Sequence, residues 1–217
     1  MAPNQGEAIP RFPLGRTARI AVLASGRGSN LASLLAEFPP HAAGTSDQLG
    51  TITMVISNRA DAQALERARA AGVTAHHVRW DASRDRAAFE REVIELLSDA
   101  KTDLVCLAGF MRLLSPEFTD RYRGRLLNIH PSLLPAFRGL HAQRQALDAG
   151  VAEAGCTVHL VDAGVDTGPI VLQRRVPVEP GDTEETLAQR ILTVEHEAYP
   201  AAVRSVLLGA VGAVANP

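Results

Sequence analysis

Asn128 and His130 stand two residues apart in Leu126-Leu-Asn-Ile-His130 and are followed at once by Pro131. Side chains at i and i+2 of a strand project to one face. The amide and the imidazole therefore point together, and Ile129 turns the other way. Pro131 has no amide hydrogen and stops regular pairing, so both groups fall at the carboxyl end of the strand. Open α/β sheets bind ligands beyond that edge. An amide donor beside an imidazole suits acyl-group transfer, the amide holding a developing oxyanion while the imidazole handles a proton. The other reading is a strand-end pair that only satisfies backbone groups, the commoner fate of buried polar side chains. The pair alone leaves both open.

Two loops carry further candidates. Ser25-Gly-Arg-Gly-Ser-Asn30 follows an apolar run and precedes a helical pattern. Glycines there let backbone approach a ligand, and a helix amino terminus presents free N–H groups to an anion. Gly26 and Gly28 match the start of a dinucleotide fingerprint, but Leu31 occupies the third glycine's place, and no Gly-Lys-Ser/Thr follows. A phosphate or carboxylate site and a plain tight turn both fit. In Asp162-Ala-Gly-Val-Asp-Thr-Gly-Pro169 either aspartate could bond its own loop. A carboxylate set against His130 would instead fix the ring and favour its charged form. Spacing does not choose between them.

The remaining histidines are weaker. His196-Glu-Ala-Tyr-Pro200 opens like a zinc-protease helix but has proline where the second histidine belongs. His76 and His77 are adjacent on a strand and face opposite ways. His159 alternates with apolar neighbours and reads as a satisfied core histidine. His141 opens a helix, as a structural residue or as part of the site's wall.

Alternating elements must position these groups. Strands are expected at Arg19–Ala24, Thr51–Ser57, Thr74–Val78, Leu104–Ala108 and Leu126–His130. Helices fall between them, including Ala60–Ala71, stopped by Gly72, and Asp85–Leu97. That order specifies a Rossmann-like open, mainly parallel sheet with helices on both faces. After a helix at His141–Ala149, the runs Cys156–Val161 and Ile170–Val178 have no helix between them and predict an antiparallel extension. Asp182 and Glu185 resemble a capping box for a last helix to about Leu208, which Pro200 is expected to kink or interrupt.

Composition narrows the class. With 46% hydrophobic and 21% charged residues, the 217-residue chain can bury one sizeable core. A net charge of −2 gives no general attraction to nucleic acid. Cys106 and Cys156 lie in or beside apolar runs, so neither a disulfide framework nor a metal site is expected, and a reducing compartment fits. Met1–Gly15 holds three prolines and no signal-like apolar block, and the apolar tail after Val206 is too short to span a bilayer. The expectation is a loose leader over 1–15, one domain over 16–217 and a cytoplasmic protein with no membrane partner. A homodimer is compatible with the sequence.

Together, Ser25–Asn30, Leu107-Ala-Gly-Phe-Met-Arg-Leu-Leu-Ser-Pro116, Leu127-Asn-Ile-His-Pro-Ser-Leu-Leu-Pro135 and Asp166-Thr-Gly-Pro169 form a recognisable set. It resembles the phosphoribosylglycinamide formyltransferase family over about Arg19–Leu208. The resemblance implies formyl transfer from 10-formyltetrahydrofolate, as co-substrate, to the amine of 5-phosphoribosylglycinamide, without a metal. By position it implies Asn128, His130 and Asp166 as catalytic residues. Gly28, Ser29, Asn30 and Glu195 fall at the ribonucleotide, and Arg86, Met111, Arg112, Leu113, Leu114 and Asn128 at the folate. Arg84 competes with Arg86 for its place. The amino-terminal half would bind phosphate and the carboxyl-terminal half folate, and a cis peptide is implied before Pro135. Arg27 stands where asparagine is common in the family, and Ala163 where aspartate is.

The resemblance also implies a direct attack through a tetrahedral intermediate. Its rivals are methionyl-tRNA formylation and formyltetrahydrofolate hydrolysis, whose enzymes normally carry an added domain. From another class comes a non-catalytic nucleotide-binding module, which would have no need of the Asn128–His130 pair.

Overall fold

A computed structural model describes residues 12–40, 48–80 and 85–210. Most of the expected leader, Arg84 and the last apolar residues lie outside the described residues. Phe12 and Leu14 pack against the main core.

Seven strands form one sheet: β1 (Ala18–Leu23), β2 (Gly50–Ser57), β3 (Thr74–His77), β4 (Leu104–Leu107), β5 (Leu126–His130), β6 (Glu153–Leu160) and β7 (Ile170–Pro177). Their order is β3-β2-β1-β4-β5-β6-β7. The first five are parallel neighbours, and β6 and β7 add on antiparallel. Both expectations hold. Among the described residues six helices accompany them: α1 (Ser29–Glu37), α2 (Gln63–Ala70), α3 (Arg86–Asp99), α4 (Pro116–Arg121), α5 (Ala142–Asp148) and α6 (Glu184–Leu207).

Side-chain alternation along the strands builds two cores. Ile20, Val22, Val55, Cys106, Leu127, Ile129 and Val158 meet α1, α2 and α6 on one face. Ala21, Leu23, Ile56, Val105 and Leu126 meet Phe89 and Val93 of α3 and Phe118 of α4 on the other. Each fully buried side chain of this size contributes about 1.5–3 kcal/mol. Parity then places the chemistry: with Leu127 and Ile129 on the α6 face, Asn128 and His130 must point to the opposite one.

Winding changes direction at β1, whose neighbours are β2 and β4. A crevice opens at the carboxyl ends of strands where the order reverses in this way.

Three details differ from the sequence reading. A short helix, α4, was not foreseen; Ser115 caps it by accepting from Phe118 N, and Pro116 occupies its first turn. The capping box of α6 is Thr183 with Thr186, one residue on from the expected pair. Asp182 instead takes both guanidinium nitrogens of Arg190. Helix α6 runs unbroken through Pro200. Proline leaves one turn without its N–H, but Ala198, Tyr199, Ala202 and Val203 around it are all fully buried and hold the helix to the sheet. The Tyr199 hydroxyl lies 2.9 Å from Leu107 O and 3.2 Å from Leu127 O, a shared donation that pins α6 behind β4 and β5. No described helix is long and apolar enough to cross a membrane.

Candidate active site

The Leu126–His130 strand ends where the sequence places it, and its two polar groups meet partners from two later loops. His130 is buried, with Nδ1 3.3 Å from Asp166 Oδ2 and Nε2 2.9 Å from Phe137 O. Both ring nitrogens thus face acceptors, a carboxylate and a carbonyl, which a ring carrying both protons satisfies. Asn128 Nδ2 lies 3.2 Å from His159 Nε2 and 3.5 Å from Asp166 Oδ1. Antiparallel pairing sets Asn128 opposite His159 and His130 opposite Thr157, so these side chains share a face.

Asp166 is the hub. Its backbone is left-handed (φ 51°), in the tight link between β6 and β7. Its Oδ2 also accepts from Gly139 N at 2.9 Å, and its Oδ1 lies 3.4 Å from His159 Nε2. Burial alone would raise its pKa. The His159 hydrogen bond, the Gly139 N–H and the charges of His130 and His159 together outweigh that and hold the carboxyl below its usual range. Asp162 does otherwise, accepting from Gly164 N and Thr167 Oγ1 within its own turn. The two aspartates that spacing left equivalent are thereby told apart.

One strand along the sheet, from β4 onward, a cavity of about 600 Å³ lies over the ends of β1, β2 and β4. Ser25–Asn30 forms one wall, with Asn58, Arg59, Met111 and Arg112 around it. Ser25 ties the three strand ends together. Its backbone N donates to Gly109 O, its hydroxyl donates to Asn58 Oδ1 at 2.6 Å, and the same oxygen accepts from Met111 N at 3.0 Å. Gly28 caps α1 in left-handed geometry (φ 72°), and a Cβ there would fall 2.9 Å from Ala64 Cα and Cβ. Only glycine fits both the dihedral and the space.

Beneath this turn, Asn30 Nδ2 donates to Glu195 Oε2 at 2.8 Å, while Asn30 Oδ1 is buried without a partner. Glu195 sits on the apolar face of α6 and is itself buried. Burial pushes its carboxyl above the usual range, and the Asn30 donation only partly offsets this. A buried carboxyl group and an unused carbonyl oxygen side by side are costly for folding alone.

The formyl transferase family model matches residues 18–203, the whole sheet and both loops of the site. The chain belongs to the formyl transferase family. It is 49% identical over 198 residues to the trifunctional purine biosynthetic protein adenosine-3 of Drosophila pseudoobscura pseudoobscura, covering 91% of this chain. It spans only 14% of that protein's length. It is also 49% identical to the phosphoribosylglycinamide formyltransferase of Escherichia coli K12, covering 83% of each chain. Among solved structures, glycinamide ribonucleotide transformylase 1 of Symbiobacterium toebii superposes with a TM-score of 0.80 at 50% identity, covering 89% of both chains.

Within this formyl transferase the expected residues fall into three groups. Asn128, His130 and Asp166 meet at the sheet edge. Gly28, Ser29 and Asn30 line the cavity with Met111 and Arg112, and Glu195 lies just beneath them. Met111 and Leu113 are exposed and Leu114 half-buried. Arg86 stays by its own helix, with Nε 4.0 Å from Glu90 Oε1, and is not among the cavity's lining residues. The Leu134–Pro135 peptide is cis, as the resemblance implies. His141 is exposed at the cap of α5, 3.9 Å from Glu184.

His159 is buried with both ring nitrogens partnered, as a satisfied core histidine should be, and its Nε2 partners are Asn128 and Asp166. The signal lay in strand pairing: with β6 antiparallel to β5, His159 falls opposite Asn128. Ser25, quoted only as the start of the turn, is the tie between its three loops. No group of three or more candidate metal ligands occurs among the described residues.

Proposed function

We propose that this formyl transferase moves the formyl group of 10-formyltetrahydrofolate to the amine of 5-phosphoribosylglycinamide in purine biosynthesis. The observation that carries the reading is that the Asn128–His130–Asp166 cluster, at the end of β5, and a cavity walled by a glycine turn, at the ends of β1 and β4, lie along one sheet edge, Asn128 pairing with Leu107 of β4. A site that only held a nucleotide would need the turn but not the cluster.

The neutral amine attacks the formyl carbon, and a tetrahedral intermediate forms. Asn128 donates to its oxygen. His130, doubly protonated between Asp166 and substrate, exchanges the Phe137 carbonyl for that oxygen and supports proton delivery to the departing folate nitrogen. Asp166 accepts the amine proton through water, and the bond from the formyl carbon to folate nitrogen breaks. No step requires a metal.

Gly28, Ser29 and Asn30 take the phosphate, and Glu195 meets the nucleotide. The backbone of Met111, Arg112, Leu113 and Leu114 lines the pterin site beside Asn128, and Arg86 contacts the folate. In one 16–217 domain the amino-terminal half binds the phosphate and the carboxyl-terminal half most of the folate, with Glu195 and Arg86 crossing that division, in a cytoplasmic enzyme whose partners are these small molecules.

Incubating the protein with both substrates and following tetrahydrofolate tests the proposal. Release that depends on 5-phosphoribosylglycinamide is expected. Release without the ribonucleotide would make the protein a hydrolase, and none under any condition would remove the catalytic reading.

A further inference from the structure

Three guanidinium groups border the cavity, and they are not equivalent. Arg59 is committed to Asp61, with Nε 3.0 Å from Oδ1 and Nη2 2.7 Å from Oδ2. Arg112 lies over the Trp80 ring, 5.3 Å from its centroid. Arg27 has no carboxylate or ring partner among the described residues, although it lies inside the turn itself. Its backbone is fixed from behind: Arg67 Nε donates to Arg27 O at 2.9 Å, and Ala64 N donates to Gly26 O at 3.1 Å.

An anchored backbone thus presents one uncommitted guanidinium at the rim of the α1 amino terminus. A second feature marks this place as built for a ligand: Asn30 is 7% exposed, lines the same cavity, and has an Oδ1 without a partner. A planar fork of donors grips a phosphate through two oxygens and brings a full positive charge that backbone N–H groups lack.

We propose that Arg27 closes the turn over the substrate's phosphate and so sets the enzyme's preference for a phosphorylated over an unphosphorylated amine. The inference rests on the function proposed above for the substrate's identity, but the anion site itself can be tested without turnover. Arg27 is exposed, and its structural contact is through its carbonyl, so Arg27→Ala should fold as the wild type does.

Calorimetric titration with inorganic phosphate should show binding to the wild type and about tenfold weaker binding to Arg27→Ala, a difference of the size a single charge-assisted pair supplies. Arg27→Lys should fall between, as a point charge without the fork. In turnover, Arg27→Ala should raise KM for 5-phosphoribosylglycinamide about tenfold with kcat within roughly twofold. With the dephosphorylated glycinamide riboside, wild type and variant should be equal. Equal phosphate affinity in the two proteins would overturn the proposal, as would failure of the wild type to bind phosphate. Arg27-dependent phosphate binding in a protein that transfers no formyl group would leave the anion site standing and remove the proposed reaction.

Discussion

Asp166 and Glu195 are the two carboxyl groups the site draws inward, and their surroundings push them in opposite directions. Asp166 sits at the sheet edge among donors: a backbone N–H, an amide and two imidazoles. These outweigh its burial and hold it ionised. Glu195 lies on the packed face of the longest helix, where a single amide reaches it, and desolvation wins. The number of donors decides between burial that is compensated and burial that is not. One carboxyl is thereby favoured in its charged form beside His130, and the other is left short of donors in the core.

Breaking the Asp166 side should have the largest effect. Asp166→Ala, or Asn128→Ala beside it, removes a group that touches the reacting atoms in the proposed mechanism. Each variant should fold and lose at least roughly 10²–10³ in kcat, or about 2.7–4 kcal/mol of transition-state stabilisation. Steady-state rates with circular dichroism as a folding control would check this; near-normal turnover would remove that residue from the mechanism.

Next comes the brace beneath the Glu195 side. Gly28→Ala forces a Cβ into left-handed backbone and against Ala64. It should cost about 2–3 kcal/mol, from strain and overpacking together, read as a lower urea midpoint. An unchanged midpoint would show that the turn relaxes without loss.

The two regions also differed in how far the sequence disclosed them. Asn128 and His130 were legible because a strand's period of two is local, and the proline after them marks the strand end. The parallel sheet and its antiparallel extension were legible from the same alternation. Asp166 was not: it reaches His130 across 36 residues of chain through a loop whose path spacing does not encode, and only the family resemblance picked it over Asp162. The place of His159 beside Asn128 required the β5–β6 register, a long-range fact. Glu195 left a local trace, a lone acid between Ile191 and Ala198 on an apolar stripe, that needed α1 beside it to acquire meaning. Helix α4 is six residues long and carries too little periodicity to register.

Glu195→Gln sharpens the comparison at smaller scale. The neutral isostere avoids burying a charge, so the variant should be as stable as the wild type at low pH and gain on it as pH rises. The sign follows from linkage. A carboxyl raised above its usual 4.5 contributes stability that is full below that value and lost as pH rises through the folded pKa. Binding should move the other way, with KM for the ribonucleotide up roughly tenfold, as for one lost charge-assisted hydrogen bond.

Asp166→Asn gives the opposite slope and the smallest signal. A carboxyl held below its usual 3.8 stabilises above that value, and this is lost as pH falls through the folded pKa. The wild type's advantage over Asp166→Asn should therefore shrink in acid, whereas its standing against Glu195→Gln should improve there. Urea midpoints of the three proteins from pH 3 to 8 would show the crossing trends, and parallel curves would contradict the assignment of the two environments.

The most direct test of the account is steady-state formyl transfer by Asp166→Asn, with 10-formyltetrahydrofolate and 5-phosphoribosylglycinamide both varied. The account predicts a kcat lower by roughly 10²-fold or more, with KM for the ribonucleotide little changed because Asp166 is not among the residues lining the glycine-turn cavity. Wild-type kcat in a folded Asp166→Asn protein would contradict it.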